Sequence, residues 1–157
     1  MQKIITFLWF DNNAEEAMNF YISVFKNSKI TSLTRYGEAG PGPKGTVMTG
    51  IFQIHEQEFY ALNGGPMFKF TPAISLFINC DSQQEIDDLW EKLSEGGKKD
   101  QCGWLTDKFG LSWQVVPSIL LNLLHGPDSE KSNRAMKAML QMKKLDTNQL
   151  QQAYDGL

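Results

Sequence analysis

The stretch C-G-W-L-T-D-K-F-G-L-S-W-Q-V-V-P, residues 102–117, combines a tight turn with a strand and indicates how the fold is built. The tetrapeptide D-K-F-G at 107–110 is typical of a turn, because its glycine can adopt a positive φ. Residues 112–116 alternate as a strand, which the following proline ends. Since side chains alternate along a strand, Trp113 lies on one face and Gln114 on the other. We expect the Trp113 face to pack under a helix and the Gln114 face to line a pocket.

The composition is that of an ordinary globular chain. It has 157 residues, of which 41% are hydrophobic and 11% aromatic, and its formal net charge is −3. A chain of this size buries about two-thirds of its surface on folding, so it needs no disulfide or metal for stability. The negative charge argues against nucleic acid binding, which requires a basic surface. With two cysteines, no leader and no apolar run that could span a bilayer, the sequence predicts a cytoplasmic protein without membrane association.

The first half of the chain predicts a strand, a helix and three further strands. The first strand covers residues 3–10, and the helix follows at about residues 14–25. Asn13, with Glu16 three positions later, suggests a capping box at the helix start. The remaining strands are expected at residues 28–36, 46–54 and 58–63, with a loop rich in glycine and proline between the first two.

The same pattern then begins again. A strand at residues 73–79 leads into a helix at residues 83–94, for which Ser82 and Glu85 form a second capping box. A shift of 68 residues keeps the apolar register through strand, loop and helix. It pairs Leu8 with Leu76, Phe10 with Ile78, Met18 with Ile86, Tyr21 with Leu89 and Phe25 with Leu93. The pattern indicates an internal duplication, and chance agreement of two unrelated strand–helix units is the alternative.

The duplication predicts an α+β fold of paired βαβββ modules. We expect a single domain at residues 1–117, with modules at about 1–66 and 71–117 and a C-terminal helical extension at 118–157. The main helix of the extension should begin at Asp128 or Ser129 and reach about residue 144. Its apolar stripe must be buried against the body or a dimer partner. The stripe consists of Ala135, Met136, Met139, Leu140 and Lys143.

Two half-open sheets of this kind can join into an incomplete barrel around a cavity. Side chains at alternate positions of the first and last strands of each module would line it, and aromatic rings with amides and hydroxyls suit an apolar or planar ligand. We expect these residues to be Phe7, Trp9, Ala61, Asn63, Ser75, Phe77, Ser112 and Gln114, with Tyr36 and Trp104 at the rim. The alternative is that they fill a closed core.

Several blocks of the sequence resemble PhnB-like proteins. They are F-L-W-F-D-N-N-A-E-E-A-M-N-F-Y, L-N-G-G-P, A-I-S-L-F-I-N-C-D, the 102–117 stretch and P-D-S-E-K-S-N-R-A-M-K-A-M-L-Q-M-K-K-L-D. These proteins belong to the vicinal oxygen chelate superfamily, with glyoxalase I, bleomycin-resistance proteins and extradiol dioxygenases. This branch often carries the label 3-demethylubiquinone-9 3-methyltransferase. The sequence gives that label no support, because no glycine-rich turn opens a helix as nucleotide-like cofactors require.

The resemblance implies paired βαβββ modules and commonly a homodimer. In the enzymes of the superfamily it also implies a divalent metal held by His and Glu. Here residues 3–11 and 73–81, which would supply the imidazoles, contain no histidine, and Gln114 stands where the resemblance places the final Glu. A metal site needs three or four imidazole, thiolate or carboxylate ligands, so we predict no metal and no cofactor.

These observations favour a metal-free homodimer that binds a small apolar or aromatic molecule. One alternative is a metal-dependent lyase, transferase or dioxygenase with a rebuilt site that uses Gln114, Glu58 or Cys102 as unusual ligands. Another is a partner-binding module that docks through the methionine-rich helical extension.

Overall fold

A computed structural model of the chain describes residues 2–157. These residues form two compact units, the first ending at Phe70 and the second covering Thr71–Leu157. Each unit contains one four-stranded sheet with a helix packed against it. Within the described residues no helix is long and apolar enough to cross a membrane.

The first unit has the element order β-α-β-β-β. Its strands lie in the order β1-β4-β3-β2, with β1 parallel to β4 and the other pairs antiparallel. The elements are β1 (Thr6–Phe10), α1 (Ala14–Val24), β2 (Ser28–Arg35), β3 (Val47–Ile54) and β4 (Gln57–Asn63).

The second unit repeats this topology. Its strand order is β5-β8-β7-β6, again with one parallel pair between the first and last strands. Its elements are β5 (Ser75–Cys80), α2 (Gln83–Ser94), β6 (Lys98–Lys99), β7 (Trp104–Thr106) and β8 (Ser112–Pro117), followed by α3 (Leu120–Leu124), α4 (Ser129–Leu140) and α5 (Thr147–Asp155). The predicted α+β class with paired βαβββ modules and a helical tail is therefore confirmed.

The helix of each unit buries the residues that the repeat pattern pairs. In the first unit the buried residues are Met18, Tyr21 and Phe25. In the second unit they are Ile86, Leu89 and Leu93. At α2 the predicted cap is also present, because the Ser82 hydroxyl accepts a hydrogen bond from the Glu85 N–H. Burial of each large apolar side chain contributes about 1.5–3 kcal/mol, so these stripes hold helix to sheet.

The tail helices pack within the second unit. Val116 of β8 shares a buried cluster with Leu120, Leu123, Ala135, Leu145 and Leu150. The side-chain amide of Gln83 on α2 joins the tail twice, donating to the Leu145 carbonyl and accepting from the Thr147 N–H. A salt bridge of 2.8 Å between Lys144 and Asp87 lowers the pKa of that carboxyl and adds a surface contact.

Helix α4 ends at Leu140, earlier than the predicted residue 144. The backbone beyond it is bound elsewhere, since the carbonyl oxygens of Met142 and Lys143 accept hydrogen bonds from the N–H groups of Cys102 and Gly103. Leu140 is consequently more than half exposed, although the sequence places it on the buried stripe.

The turn before β8 is held by a buried carboxylate. One oxygen of Asp107 accepts from the N–H groups of Phe109 and Leu111, and the other accepts from the Trp113 indole N–H at 2.9 Å. Gly110 has a φ of 90°, as the turn prediction requires. The carboxylate therefore fixes both the turn and the direction of the Trp113 ring.

We expect Asp107→Asn to lower the free energy of unfolding by about 1–3 kcal/mol, because the asparagine side chain has only one oxygen that can accept hydrogen bonds. At least one of the buried donors that bind the carboxylate would then be left unpaired. Urea denaturation followed by tryptophan fluorescence measures this. The matched control is Asp128→Asn, since Asp128 accepts the N-terminal N–H groups of α4 through a single oxygen and asparagine caps helices equally well. Equal stability of the Asp107 variant and the wild type would refute the role given to this carboxylate.

Candidate functional site

Each sheet has one face packed against α1 or α2 and a second face that points away from that helix. We call the latter the open face. On the first sheet the strand register aligns Phe7 with Tyr60 and Trp9 with Leu62, so these four residues share the open face. The Phe7 and Tyr60 rings meet edge to face at 5.8 Å. The open face of the first sheet is thus largely aromatic along β1 and β4.

Trp9 is held in place on this face. Its indole N–H donates to the Gly65 carbonyl at 2.9 Å, and its ring meets Phe68 edge to face at 5.0 Å. Leu8 and Phe10, the alternate residues of the strand, are buried. This agrees with the prediction that the side chains of Phe7 and Trp9 point away from the helix. Whether they bind a ligand stays a prediction.

The prediction for the last strand of this sheet is wrong for Ala61 and Asn63. The parallel pairing sets Leu8 opposite Ala61 and Phe10 opposite Asn63, which places both residues on the helix-facing side. A one-residue change of parity moves every side chain of a strand to the other face. Tyr60 and Leu62 occupy the open face instead. Ala61 is therefore buried on the helix-facing side, which the sequence pattern did not reveal.

Asn63 has a structural role. Its Oδ1 accepts the Ala14 N–H at the start of α1 at 2.8 Å, and its Nδ2 donates to the Val47 carbonyl at 3.0 Å. Asn13, the expected capping residue, makes no side-chain cap hydrogen bond. The helix is therefore capped from β4, and the Asn63 amide has its oxygen and one N–H committed within the first unit.

The open face of the second sheet contains all the residues that the sequence analysis placed there. Gln114 on β8 lies between Phe77 on β5 and Trp104 on β7, each directly opposite it in the strand register. A second row, one step away, consists of Ser75, Ser112, Thr106 and, on β6, Lys98. Thr106 was missed, although the alternation of β7 from Trp104 onward would have found it.

The polar groups that β5, β8 and β7 place on this face are neutral and partly bonded to one another. The Gln114 Nε2 donates to the Ser75 Oγ at 2.9 Å. Ser112 is only 1% exposed, and its hydroxyl has no hydrogen-bond partner among residues 2–157. A buried hydroxyl without a partner costs free energy, and at this burial it is out of reach of a ligand.

The donor set at this face does not fit a metal ion. Ser75 stands on the strand of this sheet where the resemblance expects an imidazole, and the Gln114 amide is bonded to it. Within residues 2–157 no three His, Cys, Asp or Glu side chains gather as a metal site requires. The Cys102 thiol is directed at the Met139 carbonyl.

Cys80 does not have the surroundings of a nucleophile. Burial raises the pKa of the Cys80 thiol to about 12, so this group is protonated at neutral pH. Both thiols are free of disulfide bonds.

Tyr36, predicted at a cavity rim, lies inside the first unit. Its hydroxyl donates to the Asn63 carbonyl at 2.7 Å, and its ring is buried. It lines a pocket of about 460 Å³ formed by the loop after β2, the loop after β1 and the residues that follow β4. The sequence analysis did not anticipate this pocket, because its lining comes from loops with no periodic pattern.

Comparison with known proteins agrees with the fold. The family model described as 3-demethylubiquinone-9 3-methyltransferase matches residues 2–116. The PhnB protein from Bacillus cereus is 45% identical, with 72% of this chain and 97% of that chain covered and a TM-score of 0.68. The protein PA1353 from Pseudomonas aeruginosa is 23% identical, with 72% and 95% covered and a TM-score of 0.60.

A more distant likeness is to the fosfomycin resistance protein FosX from Listeria monocytogenes. It is 14% identical, with 72% of this chain and 89% of that chain covered, and its TM-score of 0.47 carries no functional argument. No curated protein matches the chain.

The two asparagines near the start of α1 are expected to behave in opposite ways. Asn63→Ala leaves the Ala14 N–H and the Val47 carbonyl without their partners and should lower the free energy of unfolding by about 1–3 kcal/mol. Asn13→Ala removes no capping bond and should change it by less than about 0.5 kcal/mol. Urea denaturation of both variants checks this, and a larger loss for the Asn13 variant would contradict the assignment of the cap.

Proposed function

This chain belongs to the 3-demethylubiquinone-9 3-methyltransferase family of PhnB-like proteins, and from this membership and the neutral row at the centre of its second sheet we propose that it binds a small planar molecule. The ligand is apolar or aromatic and lies on the second sheet, where it is held by amide and hydroxyl groups. The observation that supports this most directly is the row of Phe77, Gln114 and Trp104 across three strands.

The row gives the ligand both an apolar surface and a fixed polar contact. Neighbouring strands lie about 4.8 Å apart, so the backbones that carry Phe77 and Trp104 are separated by about 10 Å with Gln114 between them. A flat molecule of one or two fused rings fits this width. Phe77 is 44% exposed, which leaves its ring available to pack against such a molecule.

The hydrogen bonds already made determine what the ligand must offer. Because the Gln114 amide donates to the Ser75 oxygen, its Oε1 remains as an acceptor and the Ser75 hydroxyl remains as a donor. The Ser112 hydroxyl lies beside Ser75 in the register but is buried, so it is not part of this set. A ring with an adjacent donor and acceptor, such as a lactam or a hydroxyl next to a carbonyl, matches this set.

The side chains of the two rows favour a ligand without a charge. The open-face positions of β5, β8 and β7 that form the two rows are aromatic, hydroxyl or amide side chains. The charged residue next to them, Lys98 on β6, is already paired with Asp100 at 3.0 Å, so an ionised ligand would lose its hydration without a free counter-ion. We therefore propose the binding of a neutral molecule, without a metal-dependent step and without a methyl transfer.

Binding is tested by thermal shift and calorimetry with quinolin-2-one, which has adjacent N–H and C=O groups, and with naphthalene, which has neither. We expect quinolin-2-one to stabilise the wild type more than naphthalene does. Gln114→Leu should abolish that difference and leave the naphthalene response unchanged, since only the hydrogen bond is lost. Phe77→Ala should weaken both compounds.

The matched control is Gln152→Leu, because Gln152 is exposed on α5, away from the open face. It should leave both responses unaltered. Equal binding of quinolin-2-one to the wild type and Gln114→Leu would contradict the proposal. Stoichiometric zinc, nickel, manganese or iron in protein purified without a chelator would instead favour the metal-dependent alternative.

A homodimer is part of the proposal, since the superfamily commonly pairs its chains. Light scattering during size-exclusion chromatography is expected to give twice the mass of one chain. The mass of a single chain at micromolar concentration would contradict this part of the proposal and leave the open-face binding site as it is.

A further inference from the structure

The pocket of the first unit is lined by loops and strand ends, and it has its own chemistry. Its volume of about 460 Å³ lies within the usual range for small-molecule sites. Tyr36, Pro41 and Pro43 give it apolar walls, while Asp11 and Asn12 bring polar groups to it. The walls are held in place because Gly40 and Gly42 lie so close to the Tyr36 ring that a Cβ would clash with it.

The hydrogen-bond donors that line this pocket are largely used within the unit. The Tyr36 hydroxyl donates to the Asn63 carbonyl, and the Thr46 hydroxyl and N–H both donate to the Pro43 carbonyl. The N–H groups of Gly64 and Gly65 donate to the backbone of Phe10 and Asp11, and prolines have no N–H to offer. Acceptors therefore outnumber free donors in the lining.

The formal charge of the pocket lining is that of Asp11. Within residues 2–157 its carboxylate takes part in none of the salt bridges and side-chain hydrogen bonds, and only its backbone is engaged, with Gly65. The nearby cations are already paired, Arg35 with Glu15 at 2.9 Å and Lys44 with Glu38 at 2.9 Å. The pocket thus presents an unbalanced negative charge beside an aromatic ring.

One effect opposes a cation here, because the pocket lies near the N-terminus of α1, whose helix dipole favours anions. That end of the helix already has Glu15 and Glu16 in its first turn and the Asn63 cap on its first N–H. The positive end of the dipole is therefore largely offset before any ligand enters.

We infer that this pocket binds a small organic cation, an amine or amidinium on a flat apolar body, with Asp11 as its counter-ion. The cationic group donates hydrogen bonds to the Asp11 carboxylate and to the Asn12 side-chain oxygen. The apolar body packs against Pro41 and Pro43, because the Tyr36 ring behind them is already covered by Gly40 and Gly42.

The test uses isotope-labelled full-length protein and the probe pair benzamidine and benzamide, which have nearly the same shape and differ in charge. Titration is followed through the backbone amide resonances of Gly42, Thr46 and Gly65, which line the pocket. We expect benzamidine to shift these resonances in a saturable way and benzamide to bind about tenfold more weakly, as loss of one ion pair near the surface implies.

The variant Asp11→Asn keeps the shape and should weaken benzamidine about tenfold. Asp88→Asn, at an exposed acid on α2, is the control and should bind like the wild type. Since the Asp11 side chain makes no internal contact, both variants should give native spectra. Equal affinity for the two probes, undiminished binding by the Asp11 variant, or shifts confined to other residues would overturn the inference and leave the open-face proposal untouched.

Discussion

The buried carboxylate of Asp107 determines the geometry on which the second unit depends. It binds two backbone N–H groups of the turn and the indole of Trp113, so the turn can close in only one register. Because side chains alternate along β8, fixing Trp113 against the core fixes Gln114 on the open face. The candidate site therefore follows from a constraint that lies on the opposite side of the strand, where no ligand reaches.

The side-chain amides of Asn63 in the first unit and Gln114 in the second have different roles. In the first, Asn63 ends β4 on the helix side and is bonded to both Ala14 and Val47, which ties helix to sheet. In the second, Gln114 lies on the open face and keeps its oxygen available while its nitrogen binds Ser75. An amide whose oxygen and nitrogen are both bonded within the fold stabilises it, and one whose oxygen is left over can recognise a ligand. Within the duplicated architecture, Asn63 is therefore a structural residue and Gln114 is a candidate binding residue.

Much of the fold could be predicted because its determinants are periodic and local. The apolar stripes of α1 and α2, the Ser82 cap and the glycine turn before β8 all follow from short-range patterns, and the structure bears them out. The face of β4 and the cap of α1 could not be predicted, because both depend on the pairing of β1 with a strand about fifty residues away. The early end of α4 has the same origin, since its next carbonyls bind Cys102 and Gly103.

The central claim is that the neutral row on the second sheet recognises a planar ligand through Gln114. The most direct measurement follows the side-chain amide resonance of Gln114 and the indole resonance of Trp104 during titration with quinolin-2-one. The account predicts that both move together and saturate at the same ligand concentration. If the compound binds while both resonances stay unchanged, the ligand lies elsewhere and the account of the open face is wrong.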